Sequence, residues 1–521
     1  MENKNTVDKA AQLINITKTF GPVVANDQVC LDIHRGEILA LLGENGSGKT
    51  TLMNMLSGIY LPDEGHIIVN GNPVVIRSPR DAYLLGIGMV HQHFKLVDVL
   101  TAAENIVLGL NENPLIDLKN VRSQVKQICE RYGFQIDPDK KVFDMSVSEK
   151  QTLEIIKILY RGAEILILDE PTAVLTPQET QKLFAVMRNM KADGKSIVII
   201  THKLHEVMEI SDRVAVLRRG KYVGEVATKD TNPQKLTDMM VGRAVSLNIA
   251  RPEPKDQVER LVVKNLTVLD ADGVKRLDNV SFTAYGGEIL GIAGITGSGQ
   301  RELLEAIAGL QRVESGGSIR LVTPDGKQEE LAGKDPLDIY KLGVGLAFVP
   351  EDRFGMGLVG SMDLVDNVML RSYKEGKPFF ADRKSPKKLA ERIVEQLQVD
   401  TPGLRIPIRR LSGGNVQKVL VGREIAGKPS LLMTAYAVRG LDIRTTHTIF
   451  DLLNEQKELG TAVIYVGEDL DVLLQLCDRI LVLCAGKVSC IVDARAAKKE
   501  EIGLLMTHLG EEATACTCNP N

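Results

Sequence analysis

The chain has 521 residues, a net charge of −4 and seven cysteines. The balance of 64 basic against 68 acidic residues argues against a nucleic-acid binder, and the odd, scattered cysteines argue against a disulfide framework and for a reducing compartment. No apolar run approaches the ~18 residues that span a bilayer, and the charged N-terminus lacks the apolar core of a signal peptide, so the chain is expected to be cytosolic unless a partner holds it at a membrane.

The predicted elements alternate. Ile38 to Leu42 reads as a buried strand, Lys49 to Ser57 as a helix and Gly88-Met89-Val90 as an apolar turn. Ile165 to Leu168 is a second strand, Glu179 to Met190 a helix and Ser196 to Ile200 a third strand. Short apolar runs between amphipathic stretches give an α/β core with a largely parallel sheet.

Between the first strand and helix lies Gly43-Glu44-Asn45-Gly46-Ser47-Gly48-Lys49-Thr50, a glycine-rich phosphate loop in its required context. The glycines let backbone amides close around phosphate oxygens, and the helix N-terminus adds partial positive charge. Lys49 would reach the β and γ phosphates of ATP, Thr50 would ligate Mg²⁺, and Thr51 extends the ATP site into the helix. The second strand ends in Asp169 and Glu170, at the sheet edge where α/β proteins bind ligands. Asp169 would help hold Mg²⁺ through a water, and Glu170 would orient or deprotonate the attacking water. His202, after the third strand, points at the same edge and is a candidate γ-phosphate contact. Gln92 is a candidate for Mg²⁺ or the attacking water.

The chain then repeats itself. Gly36-Glu37-Ile38-Leu39 recurs as Gly287-Glu288-Ile289-Leu290. Ser211-Asp212-Arg213-Val214 recurs as Cys477-Asp478-Arg479-Ile480 at a longer spacing, so the second copy carries an insertion. The halves are read as residues 12–243 and 259–509. Between them lies a polar, proline-containing linker at 244–258. Residues 510–521 form a polar tail holding Cys516 and Cys518.

Together Gly43 to Thr50, Gln92, Ile165 to Glu170, His202 and above all Leu411-Ser412-Gly413-Gly414-Asn415-Val416-Gln417 resemble the ATP-binding cassette superfamily over nearly the whole chain. The tandem layout is similar to ATPase subunits of bacterial simple-sugar and nucleoside importers. Gly88 to Leu96 looks most like the branch serving nucleosides with lipoprotein receptors. The resemblance implies two cassettes, each with a largely parallel core sheet, an antiparallel β subdomain and a helical subdomain. It implies that Phe20 stacks on adenine. It also implies that Ser412, Gly413 and Gly414, at a helix N-terminus, clamp the γ-phosphate bound on the other cassette. Partners implied are two integral membrane permease subunits, touched through His93 to Glu104, and indirectly an extracellular substrate-binding lipoprotein. The expected place is the cytoplasmic face of the membrane. The substrate expected first is a nucleoside, and next a simple sugar such as ribose or galactose. A rival is a soluble tandem cassette acting on ribosomes, but such proteins carry a long basic linker, and here Arg251 and Lys255 are set against Glu253 and Asp256.

The copies depart from the pattern in opposite ways. In Gly294-Ile295-Thr296-Gly297-Ser298-Gly299-Gln300-Arg301 the lysine and the hydroxyl are gone. Ala435, Tyr436 and Glu468 stand for Asp169, Glu170 and His202, Glu351 falls near the place of Gln92, and nothing aromatic matches Phe20. In the first half the signature reads Met145-Ser146-Val147-Ser148-Glu149, with Ser148 where Gly414 belongs. The resemblance implies that the two cassettes pair head to tail, and with the losses sorted this way it predicts one composite catalytic site.

Overall fold

A computed structural model describes residues 8–507, apart from 22, 92–93, 111–116, 174, 202, 243–248, 256, 296, 349–356, 374–381, 439–440 and 442. The chain divides into two compact units, 1–247 and 248–521. Gln92, His93, His202, Thr296 and Glu351, and the tail with Cys516 and Cys518, lie outside the described residues.

In the first unit a six-stranded sheet runs in the order Lys221–Ala227, Arg213–Arg218, Ile38–Leu42, Ser196–Ile200, Ile165–Asp169, Ile87–Val90. The last five are mutually parallel, and Lys221–Ala227 is an antiparallel edge. Ile38–Leu42, Ile165–Asp169 and Ser196–Ile200 are buried at every residue, as parallel strands covered on both faces must be. Residues 88–90, expected as a turn, belong to the strand Ile87–Val90; Gly88 has no room for a Cβ, which would lie 2.9 Å from Ile158. A four-stranded antiparallel sheet in the order Val23–His34, Lys9–Phe20, Glu64–Val69, Asn72–Val74 flanks the core. Its strand Lys9–Phe20 starts ahead of the expected first residue, 12. The helices Ala102–Val107, Leu118–Tyr132 and Val147–Tyr160 make the helical part.

The second unit repeats this order. Its core sheet runs Val344–Phe348, Leu431–Ala435, Ala462–Val466, Ile289–Gly294, Arg479–Cys484, Lys487–Asp493. Its antiparallel sheet runs Lys275–Gly286, Val258–Leu269, Ser318–Val322, Gln328–Glu330, and its helical part is Leu364–Met369, Lys384–Gln396 and Gly413–Ala426.

The repeated motifs are two ends of one tie. Arg213 donates to both carboxylate oxygens of Glu37, at 3.2 and 2.7 Å, and Asp212 accepts the amide of Ile38 at 2.9 Å. Arg479 does the same to Glu288, at 3.0 and 2.7 Å, and Asp478 to Ile289 at 2.9 Å. Each tie pins the strand that carries the phosphate loop, so the chemistry of both motifs had to be duplicated together. A buried asparagine is also duplicated. Asn105 binds both the amide and the carbonyl of Val97, and Asn367 both those of Val359.

The described linker residues are irregular, as their prolines require, yet they are fixed to the second unit. Arg251 donates to the carbonyls of Leu474 and Cys477 at 2.9 and 2.8 Å, and Lys457 donates to that of Pro252. This cover buries the ion pair of Lys457 with Asp478, whose first-unit equivalent, Lys191 with Asp212, stays open to solvent.

Candidate functional site

The first phosphate loop is shaped by its glycines. Gly46 and Gly48 have φ of 79° and 96°, a region L-residues seldom adopt. A Cβ on Gly48 would lie 2.3 Å from the Ala25 carbonyl, and one on Gly43 2.3 Å from that of Leu217. The loop closes with Ser47 N on Glu44 O at 3.0 Å and is tied to the next turn by Gly220 N on Ser47 O at 3.1 Å. Asn45 and Gly46 are exposed at its tip. Helix Lys49–Leu56 then starts with no side-chain cap and no acid in its first turn, so its amide end keeps its positive field.

Lys49 is buried and donates to the carbonyls of Gly43 and Glu44 at 2.7 and 2.9 Å. Burial lowers its pKa, and the carboxylates of Glu170, Asp169 and Glu44 oppose that. Thr50, with Thr51 beside it, lies in the helix's first turn, and its hydroxyl donates to Asp169 Oδ2 at 3.2 Å. Burial pushes the Asp169 carboxyl up to about 6, with the Thr50 hydrogen bond and Lys49 opposing and Glu170 adding to the rise. Glu170 leaves the strand in a left-handed bend, φ 48°, with its amide on the Ile200 carbonyl at 2.9 Å. The structure thus brings Lys49, Thr50, Asp169 and Glu170 to one sheet edge. Phe20 ends its strand 43% exposed, edge-on to Tyr60 with ring centres 5.2 Å apart. Gln92 and His202 cannot be added to this geometry, being outside the described residues.

Among the described residues no cluster of three acidic, His or Cys groups forms a metal cage. A carboxylate and a hydroxyl in contact are hard oxygen donors, and Mg²⁺ is usually held by one or two carboxylates together with substrate phosphates and water. The donor set at Thr50 and Asp169 fits that ion.

The second unit keeps the loop's backbone and loses its chemistry. Gly297 and Gly299 have φ of 89° and 100°, and Ser298 N meets Ile295 O at 2.9 Å. Gln300, buried where Lys49 sits, donates to Ile295 O at 3.1 Å. Arg301 turns along the helix to Glu305 at 2.7 Å. Ala435 is buried and apolar. Tyr436 keeps the left-handed bend, φ 55°, with its amide on Val466 O at 2.9 Å.

The signature helices differ in a way sequence reading missed. Ser412 caps Gly413–Ala426 by accepting the amide of Asn415 at 3.4 Å, and no acid lies in the first turn. Ser146 caps Val147–Tyr160 in a reciprocal box, with the Glu149 carboxylate on Ser146 N at 2.7 Å and on Lys140 at 2.8 Å. The first unit's signature therefore carries its own anion, besides the side chains of Val147 and Ser148. The signal was Glu149, three residues after Ser146. A second missed residue is Asn26. It is fully buried under the loop and donates to Gly48 O at 3.2 Å, while its Oδ1 has no partner among the described residues. Leu277 stands at that place in the second unit, against Gly299.

A phosphate loop facing a strand-end Asp-Glu pair marks a nucleotide hydrolase, and the duplicated signature helix narrows the class. The ABC transporter family profile matches residues 26–173 and 277–434, once in each unit. The chain belongs to the ABC transporter family, as a tandem ATP-binding cassette protein. Such cassettes bind ATP and are ATPases coupled to transport. The nucleoside import ATP-binding protein NupA of Lactococcus lactis is 43% identical over 95% of this chain and 97% of its own length. The guanosine import ATP-binding protein NupO of Bacillus subtilis is 44% identical over 95% and 96%. The glucose import ATP-binding protein TsgD13 of Haloferax volcanii is 40% identical over 96% of each. In this ABC protein no helix among the described residues is long and apolar enough to cross a membrane.

Proposed function

We propose that this chain is the ATP-hydrolysing subunit of a nucleoside importer and that it turns over ATP at one composite site. The observation that carries the reading is the sorting of defects. The unit with Lys49, Thr50, Asp169 and Glu170 has a signature helix already capped by a carboxylate. The unit with the open signature helix, Ser412, Gly413 and Gly414, has Gln300, Ala435 and Tyr436. Independent decay would not sort the defects between the two units in this way.

In this reading Gln92 and His202 join the first unit's set, and Phe20 stacks on adenine. The amides of the loop and of helix Lys49–Leu56 hold the phosphates, with the Lys49 ammonium on the β and γ groups. Thr50, Asp169 and Gln92 would hold Mg²⁺, which when bound neutralises charge on the phosphate oxygens. Glu170 orients the water and takes its proton, and His202 contacts the γ-phosphate. Ser412 and the amides at Gly413 and Gly414 clamp the γ-phosphate from the second cassette. ATP held at this site closes the cassettes, which drives alternating access in separate membrane subunits, and loss of the γ-phosphate removes the bridge and lets the cassettes part.

The chain would sit at the cytoplasmic face of the membrane, with two membrane permease subunits per chain and residues 93–104 against them. Val97 and Val99 there are exposed, Val99 at 70%, while Asn105 holds Val97 in place. A substrate-binding lipoprotein would deliver the cargo from outside. The higher identity to the nucleoside and guanosine proteins than to the glucose protein supports a nucleoside over a sugar.

The deciding experiment is the ATPase rate of the assembled transporter with Ser412→Arg. Collapse of the rate is expected. An unchanged rate would show that the first unit works without the second unit's signature and would refute the composite site. Uptake of labelled adenosine against labelled ribose decides the cargo.

A further inference from the structure

The second unit holds a cleft of about 660 Å³ far from its phosphate loop, between the helical part and the end of the core sheet. Its walls include Ile393 of helix Lys384–Gln396, Leu397 just after that helix, and Leu459. Among the described residues its charged lining groups are Arg260, Arg392 and Lys428, with no carboxylate. None of the three has an ion-pair partner among the described residues. Arg260 donates one bond, to the Val322 carbonyl at 2.9 Å, and its Nε is buried without an acceptor.

The first unit supplies an internal control. Its equivalent residues are recognisable by backbone: Gly162 and Lys428 both have positive φ before a core strand, 81° and 49°. Glu164 and Ser430 both donate their amides to the glycine that opens the neighbouring strand, Gly86 or Gly343. Asp193 and Leu459 both precede a left-handed glycine, Gly194 or Gly460. In the first unit these places are tied shut. Asp193 accepts from Arg131 and from Tyr132, and Lys195 pairs with Glu164 at 2.6 Å. In the second unit all the tying groups are gone. Gln396 and Leu397 face the cleft with Leu459, and Thr461 accompanies Ser430. Three cations have been gained, where the first unit has Gly162 and, in the registers set by the left-handed pairs Asn15 with Asn265 and Gly133 with Gln398, Ala10 and Gln127. Lys428 is held at φ 49°, a left-handed conformation that its counterpart Gly162 adopts freely. Leu459 is 78% exposed at the mouth, where a carboxylate would be the soluble choice.

Removal of each acid, gain of three unpaired cations and an apolar wall describe a receptor for one chemistry. We propose that this cleft is a binding site for a small organic anion with an apolar body. Its phosphate, sulfonate or carboxylate head lies against Arg260, Arg392 and Lys428, and its body against Ile393, Leu397 and Leu459. The volume suits a ligand of drug size. The site is separate from the ATP site and does not depend on which cargo the transporter carries.

The test is a fluorescence titration of the full chain with 8-anilinonaphthalene-1-sulfonate under saturating ATP, followed by displacement with octyl phosphate, octanol or inorganic phosphate. One dye per chain is expected, displaced by octyl phosphate at concentrations at least tenfold below those needed with octanol or inorganic phosphate. The triple variant Arg260→Ala, Arg392→Gln, Lys428→Gly installs the first unit's residues and should weaken binding at least tenfold. A melting curve guards against misfolding, and Lys428→Gly alone should not lower Tm. Unchanged dye affinity in a folded triple variant overturns the site. Displacement by octanol as readily as by octyl phosphate overturns the role of the cations, and equal displacement by inorganic phosphate overturns the apolar half.

Discussion

Glu170 and Tyr436 occupy the same left-handed bend at the ends of equivalent strands, with φ of 48° and 55° and amides bound to the matching carbonyls of Ile200 and Val466 at 2.9 Å. The second unit has kept the backbone of a hydrolytic site and replaced its side chains. Restoring one group should therefore restore little. Gln300→Lys is expected to leave the transporter's ATPase rate unchanged, because Ala435 and Tyr436 supply neither carboxylate. A doubled rate would show that the second loop needs only its lysine.

In the first unit the two key side chains should separate binding from chemistry. Lys49→Ala removes the buried ammonium and should abolish turnover, with a loss of at least 10²-fold. Glu170→Gln keeps the shape and removes the base, so ATP should bind and persist unhydrolysed. Bound-nucleotide analysis after a chase separates the two outcomes. Full turnover in either variant contradicts the role of the residue replaced.

Asp169 makes the ligand-free protein pH-sensitive. Its carboxyl is pushed up to about 6 from 3.8, so the native state holds the proton more tightly than the unfolded chain. The stability this group contributes is fully present below the unfolded value. It is lost as pH rises through the window from about 4 to 6. Asp169→Asn should then raise the stability of the nucleotide-free chain at pH 7.5, by roughly 2–3 kcal/mol at most, and do little at pH 4. Melting curves at the two pH values decide it; an equal gain at both would place the effect elsewhere.

Asn26 buries a carbonyl that has no partner among the described residues, beneath a loop that the second unit builds equally well over Leu277. Asn26→Leu gives up one hydrogen bond worth about 1 kcal/mol but relieves an acceptor whose burial costs about 1–3 kcal/mol. Tm is expected to hold or rise, with the loop intact. A fall of several degrees would show that the Nδ2 bond to Gly48 outweighs the orphaned oxygen.

Much of the site was legible in the sequence because it is local. A phosphate loop is a run of backbone angles set by glycine spacing, and the helix field follows from where Lys49 begins the turn. The absence of Lys, Asp and Glu from the second copy is equally a matter of reading residues. The capping box of Glu149 was readable in principle from its spacing to Ser146, but only the paired hydrogen bonds show that it occupies the first signature's amides. Residues 88–90 were misread as a turn because three residues carry no period, whereas the sheet shows them paired with Ile165–Asp169.

By itself the sequence determined the duplication, the α/β class and the asymmetry between the two phosphate loops, since each rests on residue identity within a short window. Only the tertiary structure decided which distant groups meet. It joined Thr50 to Asp169, Glu37 to Arg213 and the linker's Arg251 to the second unit, and it opened a cationic cleft where the first unit is tied shut. Those contacts link residues far apart along the chain, and packing of the sheet against its helices, not local backbone preference, brings such residues within hydrogen-bonding distance.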